Sequence, residues 1–216
     1  MPSSIATAWP SPGRFAWALT LGLAFTLAIA WAWGESLIES LLPLTRILLG
    51  WIDDRFGILF LGVEHNWQDT VVRLRVNILQ LFVMGGQLIS ESPTGWLEVT
   101  TTTGAMLQPM VIAPAIAFAL PGTMHTKILA FALAALLAFG FLLIDVPVTL
   151  HAYVWDMFID NLQPDRFSLL MVWHEFLHAG GRLGVALLLG MTGWKFATRF
   201  VNVSRTSAKI PEPGID

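Results

Sequence analysis

The chain has 216 residues, of which 55% are hydrophobic and 12% charged, with a mean hydropathy of +0.66. That is too apolar for an ordinary soluble domain and reads as a polytopic membrane protein. A formal charge of −3 argues against nucleic-acid binding, and the lack of cysteine excludes disulfides, thiolate metal sites and a cysteine nucleophile.

Residues 1–14 are polar and proline-containing, and they lead into an uncharged run, Phe15 to Trp33, long enough to cross a hydrocarbon core of about 30 Å. Its Trp31-Ala32-Trp33-Gly34 end reads as an interfacial anchor rather than a cleavage site, so a retained helix over 15–33 is expected. Residues 34–104 scatter charges among apolar positions and form an outer-face interfacial segment. Within it, Ser36 to Trp51 has helical spacing, while Val72 to Ile78 alternates strictly and could pair as a strand with Trp96 to Thr103. Residues 105–194 then read as a three-helix membrane core: Ala105 to Leu120 with Pro109 and Pro114, Ile128 to Leu150, and Phe167 to Trp194. A basic tail, 195–216, follows. The fold expected is all-α, a transmembrane bundle of about four spans with an interfacial helix and a small outer-face segment.

Charge orients this layout. Arg14, Lys127 and the tail residues Lys195, Arg199, Arg205 and Lys209 fall on one side, and the acidic loop at 150–166 on the other. By the positive-inside rule both termini are cytoplasmic, in a bacterial inner membrane.

The last expected span contains His174-Glu175-Phe176-Leu177-His178, an HExxH pattern. Residues four apart share a helix face, so two imidazoles can hold zinc while Glu175 acts as a base on a metal-bound water. Zinc needs a third protein ligand, and Asp145 and His151 at the preceding helix end are the candidates. Ionisable residues at membrane depth point to function by default. They also serve as glue between helices, and His174, Glu175 and His178 bonded to neighbouring helices or to Arg182 is the competing structural reading. A haem site would pair His174 or His178 with His151.

Two further patterns bear on partners. Gly180 and Gly184 make a GxxxG on the last helix, a face suited to close packing within the chain or against a partner subunit in the bilayer. Thr100-Thr101-Thr102-Thr103-Gly104 is a small-residue patch before a membrane helix. Together with Lys127 in a loop, an apolar helix ending outside and a last helix opening with His174, this layout resembles the exosortase and archaeosortase group of membrane transpeptidases, over roughly residues 45–192. The resemblance implies a nucleophile at Thr102, where the family has Cys, and a histidine at His174. The family's Arg would fall within Ile144-Asp145-Val146-Pro147, which contains none. It therefore implies a protein that cannot run cysteine transpeptidation: a non-catalytic accessory subunit or assembly factor of a membrane complex. A zinc-dependent membrane hydrolase using the HExxH motif is the alternative, and a haem- or metal-binding subunit a third.

Overall fold

The computed structural model describes residues 11–66, 69–164 and 167–207; residues 1–10 of the expected 1–14 segment, and the tail from 208 on with Lys209, lie outside these. Five α-helices and five strands follow in the order α1 (Pro12–Ile52), β1 (Phe56–Asn66), β2 (Asp69–Ile78), β3 (Phe82–Met84), β4 (Gln87–Ile89), β5 (Ser92–Thr102), α2 (Thr103–Ala119), α3 (Met124–Leu162), α4 (Leu169–Phe176) and α5 (Arg182–Ser207). A π-helical turn, Leu177–Gly181, joins the last two.

The all-α bundle of about four spans is overturned on both counts. Residues 56–102 form a three-stranded antiparallel sheet, in the order β1-β2-β5, and a separate β3-β4 hairpin. Only α1 and α3 among the described helices are long and apolar enough to cross a membrane. The two other expected spans fail for physical reasons. α2 has 17 residues, about 25 Å of helix against a core of about 30 Å. The HExxH-bearing run is broken at Gly180, whose φ of 102° leaves the helical region, and α5 beyond it carries Arg182, Lys195 and Arg199.

α1 is continuous for 41 residues through Pro43, so Ser36 to Trp51 extends the first helix instead of forming another. At 1.5 Å per residue it is about 60 Å long, and its uncharged part is the N-terminal half. α3, with 39 residues, is built alike, charge-free from Ile128 to Ile144 and polar beyond.

Contacts divide the chain into two compact units. Of the described residues, the first takes 11–28, Pro109–Phe139 and 183–207. Its interior is mostly small residues: Ala113, Ala138 and Ala186 form one fully buried cluster, and Ala117, Ala130, Ala134 and Ala197 another, with Val111, Ile116 and Leu120 the larger buried side chains. Large apolar side chains, among them Trp17, Phe25, Leu136 and Leu188, face outward. A water-soluble core would invert that order, whereas helices in lipid gain nothing by hiding leucine and pack through small residues. In keeping with this, only 11% and 28% of the most apolar windows of α1 and α3 are buried.

The second unit holds 29–108 and 140–182. β2 is its central strand, and the alternation at Val72 to Ile78 resolves as expected: Val72, Leu74 and Val76 are buried, each contributing roughly 1.5–3 kcal/mol. Arg73 and Arg75 take the other face, where Glu64 and Glu98 pair with them. β2 runs antiparallel to β5, with Val72 opposite Thr101 and Leu74 opposite Val99. Gly85 and Gly86, both with positive φ, make the two-residue turn of the β3-β4 hairpin.

Candidate functional site

Polar side chains on α3 sort onto two faces of that helix. Asp145, Thr149 and Tyr153 recur every four residues and form one stripe, while His151, two residues from both Thr149 and Tyr153, is turned about 200° away with Trp155. Each stripe meets its own partners within the second unit.

The first stripe meets the HExxH turn and the start of α5. Arg182 donates from Nε to Asp145 Oδ2 at 3.1 Å and from Nη2 to Thr149 Oγ1 at 3.1 Å. Thr149 in turn donates to Asp145 Oδ1 at 2.9 Å. The triad is closed and dry, with Asp145 and Arg182 only 1% and 3% exposed. One turn along, the Tyr153 hydroxyl and His178 Nε2 share a hydrogen bond of 2.7 Å. The rings of His174 and His178 are 4.5 Å apart, and Tyr153 stands 4.6 Å from His174 in an edge contact. The two histidines therefore do share a face. His174 is buried, and its Nδ1 has no hydrogen-bond partner.

This arrangement is not the ligand set an HExxH zinc site requires. Asp145 has both oxygens committed to Arg182 and Thr149, and His151 lies on the opposite face of α3. His178 offers Nε2 to Tyr153, and Glu175 is exposed. Among the described residues no group of three or more His, Asp or Glu is placed to hold a metal ion. Breaking the helix matters here: a π turn under His178 and a positive φ at Gly180 redirect the chain within one turn of the motif.

Thr102, where the resemblance puts a nucleophile, is exposed at the end of β5. Alternation turns its neighbour Thr101 inward, buried beside Tyr153. Tyr153, Thr149, Thr101 and Asp156, whose charge acts on both histidines, are the site residues that motif reading missed. Tyr153 was the available signal, being the chain's only tyrosine and four residues from Thr149.

The second stripe meets the loop after α1. Asp53 is buried and takes a fork from Arg55, with Nε to Oδ1 at 2.7 Å and Nη2 to Oδ2 at 2.8 Å, plus the Arg55 backbone N–H at 3.1 Å. Trp155 Nε1 donates to Oδ2 at 3.2 Å, and His151 Nε2 lies 3.8 Å from the same oxygen. The Arg55 guanidinium stacks 4.8 Å from the Trp155 ring, and Phe56, Phe82 and Phe158 complete an aromatic cluster. Burial pushes the Asp53 carboxyl up, but the hydrogen bonds and charge of Arg55, with a smaller pull from His151, outweigh it and hold the group below the usual carboxylate range. Because the folded value is depressed, the stabilisation is fully present above the unfolded value, near pH 4, and is lost as pH falls through the folded one. Asp53→Asn should therefore lower stability at pH 7 and flatten its dependence on pH below about 4. Thermal melts of both proteins from pH 3 to 7 check this; parallel curves would show that the pair does not contribute.

No protein-family model matches this chain, and neither a curated protein nor a solved structure matches it.

Proposed function

We propose that the protein is a non-catalytic, exosortase-like accessory component of a membrane complex, held in a bacterial inner membrane with both termini cytoplasmic. The observation that carries this reading is the closed Asp145–Thr149–Arg182 triad. It commits both Arg182 and Asp145 to each other and to Thr149, so neither that guanidinium nor that carboxylate is free for substrate. Thr102, the position at which the resemblance puts a nucleophile, is exposed at the end of β5 with no base hydrogen-bonded to it among the described residues, and a threonine hydroxyl without a base against it is a poor nucleophile. Support for a docking role comes from the sheet-bearing unit, where Leu81, Val83, Leu88 and Trp96 are large, apolar and more than half exposed.

Glu175→Gln provides the test, because a metallohydrolase cannot spare that carboxylate. In the host membrane the variant should support the same complex as the parent, captured by photocrosslinking from position Trp96. Elemental analysis of protein purified without chelator should find no stoichiometric metal. About one zinc per chain, lost in both His174→Ala and His178→Ala, would overturn the accessory reading in favour of a metal site. So would loss of function in a folded Glu175→Gln protein.

A further inference from the structure

The first unit contains an apolar groove that the accessory reading does not use. Leu21, Gly22 and Phe25 of α1, Phe118 of α2, and Ile128 and Phe131 of α3 line a cavity of about 190 Å³. Gly22 makes its floor, since the close approach of α1 to α2 there leaves a Cβ only 3.1 Å from Ala115 Cα. Phe25 and Phe131, with ring centroids 6.0 Å apart, form a wall. One turn from Phe131, on the same face of α3, stands Lys127, its Nζ 5.4 Å from the Phe118 ring that also lines the groove.

Lys127 is half-buried, and no carboxylate among the described residues pairs with it. It also sits in the first turn of α3, where a cation is unfavourable and where no acid offsets it. An uncompensated cation at the mouth of a greasy groove, on helices apolar enough to enter a bilayer, fits an amphiphile with an anionic head. We infer that this groove binds an anionic glycerophospholipid, with its phosphate on Lys127 and one acyl chain along Phe118, Phe131, Phe25 and Leu21.

The experiment is native mass spectrometry of the full chain in detergent with equal amounts of phosphatidylglycerol and phosphatidylcholine. Phosphatidylglycerol should be retained preferentially. Lys127→Gln should reduce that preference roughly fivefold, Lys127→Arg should keep it, and Lys195→Gln, an exposed cation on α5, should leave it unchanged. Leu21→Trp, which fills the groove from an exposed position, should lower retention with the charge intact, its helix content checked by circular dichroism. Excess glycerol 3-phosphate should not displace the lipid. The inference is overturned if Lys127→Gln behaves as the parent, if Lys195→Gln loses as much, if a folded Leu21→Trp protein retains the lipid, or if glycerol 3-phosphate competes. None of these outcomes touches Glu175 or the partner complex, so the accessory reading stands or falls separately.

Discussion

Arg182→Ala should destabilise the protein by about 3–5 kcal/mol, the largest loss expected from any single polar substitution in this chain. The guanidinium and the Asp145 carboxylate are both almost completely buried, and removing one leaves the other charged, desolvated and short of its partner. Asp145→Asn should cost less, because the amide oxygen can still accept from Arg182 Nε, although the amide nitrogen replaces the acceptor that Thr149 uses and the buried cation then lacks a counter-charge. The informative variant is the double change Asp145→Leu with Arg182→Met. Replacing a buried ion pair by apolar groups of similar size is often neutral or better, so the double variant should recover most of the loss. Thermal unfolding in detergent, read by circular dichroism, gives the cycle. A double variant as unstable as Arg182→Ala would mean that the pair has a positioning role apolar packing cannot replace.

That cycle also bears on function. Were Arg182 the cation of an active site, its removal would abolish activity in every background, including the stable double variant. As a member of a closed triad, its removal should matter only through stability, and under the accessory reading the double variant should give the same photocrosslink from position Trp96 as the parent.

What the sequence made legible follows from the kind of signal each element leaves. β2 was readable because a strand with one buried face alternates with period two, and Val72, Arg73, Leu74, Arg75 and Val76 do so without exception. β1 was not, because Phe56 to Val63 is nearly all apolar, and a continuous short apolar run fits a buried strand, a buried helix or part of a span equally well. The number of spans differs for a related reason: Ala105 to Leu120 is apolar enough to read as a span although the run is short for one, and hydropathy does not see the backbone break at Gly180. In the site, spacing correctly placed His174 and His178 on one face, since the distance between residues four apart is a local property. Which side of α3 meets that face is a tertiary property, and there Asp145 is drawn to Arg182 while His151 turns toward Asp53. The third ligand that spacing invited is thereby lost.

Glycine on the last helix shows the same division and leads to the second large effect. The GxxxG pattern at Gly180 and Gly184 predicts close packing there, yet a Cβ at either position would meet nothing within 4 Å. Gly180 instead serves the backbone, adopting a φ of 102° that L side chains rarely take. Close packing falls further along, at Gly190 and Gly193, where a Cβ would come within 2.7 Å of Ala113 O and of Ala134 N. Both obstacles are backbone atoms, which cannot swing aside as a side chain can. Gly193→Ala should therefore force α5 away from α3 and cost at least about 1–3 kcal/mol, the usual range for overpacking. Gly184→Ala, in a helical position open to its surroundings, should be neutral or stabilise by up to about 1 kcal/mol through helix propensity alone. Melting temperatures of the two single variants discriminate directly. If Gly184→Ala were the damaging change and Gly193→Ala harmless, the face read from the motif would be an interface with another subunit, and the packing of α5 on α3 would need to be redrawn.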